Sequence, residues 1–320
     1  MVREVFFVSD TYKTDLSQAS LEAESSSMSP TRSTGSRFGV LFALLAVYLI
    51  WGSTYLGMRI ALTGFPPFMM SGVRFVIAGA LLFVVMRLRG AALPTRAQWI
   101  GAACVGGLLI VGGYGGVSFA EQWVSSGLAA AGAGASPLWT ALFIGLMGKW
   151  PTRKEWVGLG LGFLGIILLN LERGVWAEPL GAIALILAPI CWALGSAISS
   201  RVSLPNGLMS SAAQMLVGGS MLLVVSLIAG ERLKSPPPLN GLLAIGYLII
   251  FGSLIAFSAY GYLLTRVRPA LATSYAYVNP VIAIVLGIIL ASERITLVGV
   301  LAVAVILVGV VLVMQRGGKH

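Results

Sequence analysis

Residues Phe38 to Leu62 read FGVLFALLAVYLIWGSTYLGMRIAL, a stretch that contains a single charge, Arg59. Crossing a hydrocarbon core of roughly 30 Å takes about 20 residues of α-helix. Lipid offers no partner for backbone N–H and C=O groups, and the stretch lacks the alternating polar pattern of a barrel strand. The stretch therefore predicts a membrane-spanning helix.

The same kind of stretch recurs along the rest of the chain. Cutting the chain at charges and turn formers leaves ten apolar runs, of which the fifth is the shortest. The runs are Phe38 to Leu62, Pro67 to Leu88, Trp99 to Phe119, Ser126 to Leu146, Trp156 to Leu171, Leu180 to Ser200, Leu208 to Ala229, Leu242 to Leu264, Ala270 to Ala291 and Ile295 to Met314. We predict an all-α integral membrane protein with ten transmembrane helices.

The composition excludes a soluble globular protein. Hydrophobic residues make up 58% of the 320 residues and charged residues 10%, whereas soluble chains carry about 25% charged residues. The net charge of +10 would favour a nucleic-acid partner in a soluble protein. Here most basic residues lie in the short gaps between apolar runs, so we expect a lipid bilayer as the partner and no nucleic acid.

The basic residues also predict the orientation. With the amino terminus in the cytoplasm, the inside segments carry thirteen Lys or Arg residues and the outside segments four. Cytoplasmic loops carry such an excess, so both termini are predicted to be cytoplasmic. Residues 1–37 are rich in serine and have no sustained apolar pattern, which predicts a disordered cytoplasmic tail without a cleaved signal sequence.

Several features recur at a nearly constant offset. Trp51 returns as Trp192, and Pro137 returns as Pro280 after almost the same interval. This offset predicts two five-helix repeats, at 38–171 and 180–314. Because five is odd, the second repeat must enter the membrane from the opposite side. Inverted repeats are typical of secondary transporters, which bind solute between the halves and work by alternating access.

Five motifs resemble the drug/metabolite transporter superfamily, EamA type, and among its members the YedA-like branch. They are WGSTYLGMRIAL from Trp51, PPFMMSGVRF from Pro66, SSGLAAAGAGASPLWTAL from Ser125, CWALGS from Cys191 and PALATSYAYVNPVIAIVLG from Pro269. The resemblance covers about residues 38–315. It implies ten helices in two inverted halves, a bacterial inner membrane location and transport of small metabolites, often outward. It does not identify a substrate.

Aromatic, hydroxyl and amide side chains within the apolar runs are the candidates for contact with a polar solute. An amide or an arginine is costly in hydrocarbon and should face another helix or the solute pathway. The alternative for these side chains is a structural role in packing between helices. For Arg74, a second alternative is that its side chain extends to the lipid headgroups. The predicted pathway residues are Trp51, Ser53, Thr54, Tyr55, Arg74, Tyr114, Trp192, Ser196, Tyr260, Tyr275, Tyr277 and Asn279.

Two prolines and one glutamate are candidates for motion and energy coupling. Pro137 and Pro280 lie well inside their runs, where each would remove a backbone hydrogen bond, so we predict a helix break or hinge at each; a static kink is the alternative. Glu121, just beyond the third run, is the candidate proton relay. The alternative role for Glu121 is that of an ordinary charged loop residue. The alternative to proton coupling is facilitated diffusion or exchange driven by the solute gradient. The sequence contains no GxxxxGK[ST] phosphate-binding motif, so it does not indicate direct use of ATP.

The chain offers few residues for catalysis. The sole histidine is His320, Cys104 and Cys191 are isolated, and no carboxylate pair lies at membrane depth. We therefore predict no enzyme, no cofactor and no metal site. The predicted function is a secondary transporter that exports amino acids or related small metabolites. The alternatives are a broad-specificity drug or toxic-compound exporter and a non-transporting structural or receptor-like bundle. The sequence leaves the oligomeric state open.

Overall fold

The structure is a computed structural model that describes residues 34–123, 126–171, 179–233, 235–291 and 297–314. All regular elements in these ranges are helical, which confirms the predicted all-α class. The helices are α1 (Thr34–Ala61), α2 (Pro67–Leu88), α3 (Arg96–Ala120), α4 (Ser126–Ala133), α5 (Ser136–Leu146), α6 (Arg153–Leu171), α7 (Pro179–Ile198), α8 (Leu208–Ile228), α9 (Leu239–Arg266), α10 (Pro269–Thr273), α11 (Tyr275–Ala291) and α12 (Leu297–Met314).

Six of these helices are long and apolar enough to cross a membrane by length and composition: α1 from Phe38, α2, α3, α7, α8 and α9. The count of ten transmembrane helices stays a prediction. Residues 1–33 of the predicted tail lie outside the described residues, whereas residues 34–37 already belong to α1. Residues from Val40 onward form one compact unit.

Two of the helices that begin earlier than their apolar runs, α3 and α6, start with a capping box. The third run begins at Trp99 and the fifth at Trp156, whereas α3 begins at Arg96 and α6 at Arg153. Thr95 and Gln98 exchange side-chain-to-backbone hydrogen bonds at the start of α3. Thr152 and Glu155 do the same at the start of α6. These capping boxes satisfy free N–H groups and let each helix start among charged residues.

Two spans contain a π-helical segment. Residues Gly107–Gly115 of α3 and Leu248–Phe257 of α9 form π-helix. The first residues of the two segments are separated by the same interval as Trp51 and Trp192. π-helical turns are rare and are frequent at functional sites. Both segments lie beside the cavity described below.

The fourth and ninth runs are each broken into two helices. α4 ends at Ala133 and α5 begins at Ser136, so Pro137 occupies the first turn of a new helix and does not interrupt a continuous one. The hydroxyl of Ser136 donates to the carbonyl oxygen of Ala133 at 2.6 Å, which satisfies a carbonyl at the break. In the ninth run the break lies at Ser274, between α10 and α11, and Pro280 lies inside α11.

Glycines bring two pairs of helices into close contact. A Cβ atom on Gly219 of α8 would lie 2.8 Å from the backbone nitrogen of Val76 in α2. A Cβ atom on Gly309 of α12 would lie 2.7 Å from the carbonyl oxygen of Gly158 and from the nitrogen of Gly162, both in α6. Small residues permit this approach of helix backbones in membranes. The close pairs therefore join the second run to the seventh and the fifth run to the tenth.

Candidate functional site

Five aromatic side chains from five helices form a cluster at the centre of the bundle. Trp51 lies in its middle, with its ring centroid 4.7 Å from that of Tyr275, 5.2 Å from Tyr260, 5.5 Å from Trp192 and 6.1 Å from Tyr114. These distances are those of favourable aromatic pairs. All five rings were among the predicted pathway residues, and the structure brings them together.

The two tryptophans of this aromatic cluster contact π-helical segments. The indole N–H of Trp51 in α1 donates to the carbonyl oxygen of Gly252 in α9 at 3.0 Å. The ring of Trp192 in α7 lies against Gly113 in α3, where a Cβ atom would approach the ring to 2.8 Å. Each tryptophan therefore packs on a π-helical segment from the other half of the chain.

A hydrogen-bonded ring of groups joins α7 to α9. The indole N–H of Trp192 donates to the Tyr260 hydroxyl at 3.2 Å, and that hydroxyl lies 2.6 Å from the Ser196 hydroxyl. Ser196 in turn donates to the backbone carbonyl oxygen of Trp192 at 2.8 Å. Because Ser196 uses its proton on this carbonyl, Tyr260 must donate to Ser196. We call these three residues the Tyr260 triad.

A small cavity lies on one side of the aromatic cluster. Its volume is about 50 Å³, which is room for about three to five water molecules. Seven of the predicted pathway residues line it: Trp51, Thr54, Tyr55, Tyr114, Trp192, Tyr275 and Asn279. With its amide oriented towards acceptors, Asn279 donates to the carbonyl oxygens of Tyr275 at 3.0 Å and Tyr48 at 3.3 Å.

A larger vestibule lies beside the triad. Its volume is about 630 Å³, and it is formed by α3, by the ends of α7 and α9 and by the start of α8. Hydroxyl, amide and guanidinium groups line it, among them Ser199, Ser210, Gln214, Ser258 and Arg266. Tyr260 belongs to both the vestibule wall and the aromatic cluster. The Tyr260 triad therefore stands between the vestibule and the small cavity.

Two predicted pathway residues lie away from the cavity. The Ser53 hydroxyl is 2.5 Å from the Tyr247 hydroxyl and 2.7 Å from the carbonyl oxygen of Ile50. The Tyr277 hydroxyl donates to the carbonyl oxygen of Leu159 in α6 at 3.2 Å. Both side chains join helices to one another, which agrees with the packing alternative for these two positions.

Arg74 is fully buried behind the cavity wall. Its guanidinium carbon lies 4.5 Å from the centroid of the Phe75 ring and 4.7 Å from that of Tyr114. Its Nε donates to the Ser253 hydroxyl at 3.1 Å. The side chain is 0% exposed, so an extension to the headgroups does not account for it.

Glu121 directly follows the last residue of α3 and is 4% exposed. Neither carboxylate oxygen has a hydrogen-bond partner among the described residues. Burial raises the pKa of this carboxyl well above its usual range, while the positive charges of Arg59 and Arg74 act in the opposite direction. Glu121 is therefore a buried group that favours its protonated form.

Sequence reasoning missed several residues of the site. Pro189 lies inside α7 and lines the small cavity, together with Met58, Gly113 and Ser136. Pro189 carried the same signal as the other intramembrane prolines and could have been found from it. The backbone of Gly252 and the hydroxyl of Ser253 carried no such signal, because their roles depend on which neighbours the fold brings to them.

Interrupted helices beside a cavity within a bundle of apolar helices are typical of membrane transporters. A family model described as the EamA-like transporter family matches residues 37–171 and 179–315. The chain belongs to this family of membrane transporters, within the drug/metabolite transporter superfamily.

Individual relatives agree with this assignment. The chain is 48% identical over 277 residues to the "Uncharacterized inner membrane transporter YedA" of Escherichia coli strain K12, covering 86% of this chain and 90% of that protein. It is 22% identical over 285 residues to the "Uncharacterized transporter YoaV" of Bacillus subtilis strain 168, covering 85% and 95%. A crystal structure with 21% identity shares the fold, with a TM-score of 0.70 over 86% of this chain and 97% of that one.

Proposed function

We propose that this transporter exports amino acids or related small metabolites across a bacterial inner membrane by alternating access. The observation that carries the proposal is the pair of compartments separated by the Tyr260 triad. A vestibule of about 630 Å³ ends at Tyr260, and a cavity of about 50 Å³ with aromatic, hydroxyl and amide walls lies beyond it. Such a barrier beside a central cavity is what one state of an alternating-access cycle requires.

In this transporter, ten transmembrane helices would form two inverted repeats. The close helix pairs support this arrangement, because each joins a helix of one half to its counterpart in the other. The matched π-helical segments and the reciprocal packing of Trp51 and Trp192 on them also support it. Both termini would face the cytoplasm, and the vestibule would then open to the cytoplasm.

The helix breaks would be the sites of motion in this cycle. The break before Pro137 and the break at Ser274 divide α4 from α5 and α10 from α11, and Ser136 and Tyr275 next to these breaks line the small cavity. A hinge at either break would change the cavity wall directly. Pro280 lies inside α11, beyond Tyr275, and is the third proposed hinge position.

Energy coupling through Glu121 is the remaining part of the proposal. Its carboxyl group is buried, favours the proton and lies one turn beyond Val117, which lines the small cavity. A group that gains and loses a proton as the cavity changes its access could couple export to a proton gradient. Without such coupling, the solute gradient itself would drive transport.

The test is flux in liposomes that contain the purified protein. We expect labelled amino acids to leave these vesicles faster than empty liposomes, and an imposed pH gradient to change the rate. Replacing Trp51 with Phe should lower flux about 5- to 10-fold through loss of the bond to Gly252, whereas Trp99→Phe, outside the cavity, is the matched control. Efflux of ethidium but not of amino acids would favour a broad drug exporter. No flux of any solute class would overturn the transport proposal and favour a non-transporting bundle.

A further inference from the structure

Arg74 combines complete burial with two free hydrogen-bond donors. Its Nε is bound to Ser253, but among the described residues Nη1 and Nη2 have no hydrogen-bond partner. Burying a charged group without partners is among the costlier arrangements in a protein. The only buried acid described near it, Glu121, also lacks a partner for both carboxylate oxygens, so the two groups do not neutralise each other by direct contact here.

The free end of Arg74 lies close to the cavity wall. A Cβ atom on Gly252 would lie 3.4 Å from Nη2 of Arg74 and 3.0 Å from Cγ2 of Thr54. Thr54 itself lines the small cavity. The bare backbone of Gly252 therefore lies between the guanidinium and a cavity-lining residue. The Tyr114 ring also contacts the guanidinium, and Tyr114 lines the cavity.

The unpartnered atoms define the chemistry of a ligand. Nη1 and Nη2 of an arginine form a planar pair of donors that matches the two oxygens of a carboxylate. The Phe75 and Tyr114 rings hold the guanidinium carbon at 4.5 and 4.7 Å, which favours a fixed position for the positive charge. A neutral amide or an amine could not satisfy both donors and the charge together.

We propose that Arg74 binds the carboxylate of the transported solute through Nη1 and Nη2, so that the solutes are small carboxylates such as amino acids and not amines or lipophilic cations. This inference rests on the proposed transport function. It adds that Arg74 selects the solute, and that a shift of the Tyr114 ring or of the Gly252 backbone opens the way from the cavity to the guanidinium.

The test measures binding separately from transport. The purified protein is heated with each of the twenty amino acids, with the corresponding carboxamides and with the corresponding decarboxylated amines, and the shift in melting temperature is recorded. We expect at least one amino acid to stabilise the wild-type protein and its carboxamide and amine to fail. Arg74→Gln should weaken the apparent affinity about 10- to 100-fold, as expected for loss of a charge-assisted pair. Arg87→Gln, an exposed arginine on the same helix, is the control.

A second variant protects the test against misfolding of the Arg74 substitution. Gly252→Ala keeps Arg74 but adds a methyl group 3.4 Å from Nη2, and we expect weaker binding of the same amino acid. Equal binding of acid and amide by the wild type, or unchanged affinity in both variants, would overturn the inference. Flux of amines that does not depend on Arg74 would overturn it and leave the transport function intact. Arg74-dependent binding without flux would support a carboxylate site at Arg74 and contradict the transport function.

Discussion

Replacing Tyr260 with phenylalanine should open the barrier between the vestibule and the small cavity. The substitution keeps the ring in the aromatic cluster and removes only the hydroxyl group. That hydroxyl accepts from Trp192 at 3.2 Å and donates to Ser196 at 2.6 Å. Tyr260 is 1% exposed, so no water replaces the lost hydroxyl while the barrier stays closed.

The size of the effect follows from the groups that are left unpaired. The indole N–H of Trp192 loses its acceptor, whereas Ser196 keeps its bond to the backbone of Trp192. A buried donor without a partner costs about 1–3 kcal/mol. If the open state exposes this N–H to water, the closed state alone bears the cost. The ratio of open to closed molecules should then rise about 5- to 140-fold, at about 1.4 kcal/mol per factor of ten.

Thiol modification measures this ratio. Cys104 and Cys191 are first replaced with alanine, and Ser136, which lines the small cavity, is replaced with cysteine. An impermeant methanethiosulfonate reagent is added from the vestibule side, which is identified by rapid reaction of a Thr265→Cys protein. We expect Tyr260→Phe to raise the reaction rate at position 136 by about the factor above.

A matched control separates the hydroxyl bonds from general loosening. Tyr262 lies on the same helix and lines the same vestibule, and its ring lies 5.2 Å from the guanidinium of Arg266. Tyr262→Phe should leave the rate at position 136 unchanged. If Tyr260→Phe also leaves the rate within about twofold of the parent, the triad does not hold the barrier closed and the reasoning fails.

Two further predictions concern charged groups at the ends of helices. Because burial raises the pKa of Glu121, the folded protein keeps a proton that the unfolded chain loses above about pH 4.3, and stability falls as the pH rises towards the raised pKa. Glu121→Gln should make the melting temperature less dependent on pH, and an unchanged profile would contradict this. Glu231 accepts from the backbone N–H groups of Phe68 and Met69 at the start of α2. Glu231→Ala should lower the free energy of unfolding by about 1–2 kcal/mol, measured against the exposed Arg232→Ala; equal melting temperatures would refute the capping role.

The helical class was predictable because hydrocarbon imposes one dominant constraint on an apolar chain. Runs such as Phe38 to Leu62 must satisfy their backbone groups internally, and the helix is the local solution. The ends of helices were less predictable, because cutting at charges ignores capping. Thr95 and Thr152 each stand three residues before a Gln or a Glu, a pattern that could have extended α3 and α6 by three residues.

Breaks inside the apolar runs were harder to place. No charged residue interrupts residues 126–146, yet α4 ends at Ala133 and α5 begins at Ser136. Pro137 indicated that the helix is interrupted nearby, but it did not indicate whether the break lies before or after the proline. The π-helical segments of α3 and α9 lie inside uninterrupted apolar runs, so hydropathy and charge did not indicate where they begin or end.

Residue type indicated which stretches of sequence contribute to the candidate site. It did not indicate which polar or aromatic side chains in a stretch point towards the cavity. Tyr275 lines the cavity, whereas Tyr277, two positions later and about 200° around the helix, bonds to Leu159 in α6. Thr54 lines the cavity, while Ser53, one position earlier, faces Tyr247. Both members of each pair are polar or aromatic, so only the packing of neighbouring helices separates solute contacts from structural ones.

The reciprocal packing of the two tryptophans limits how the halves can move. Trp51 belongs to the half that ends at 171 but bonds to Gly252 in the half that begins at 179, and Trp192 packs in the reverse sense on Gly113. Any rocking of one half against the other must change both contacts at once. Because Trp192 also donates to Tyr260, such a movement would strain the triad at the same moment. In the proposed alternating-access cycle, the aromatic cluster would therefore couple the barrier to the relative position of the two halves.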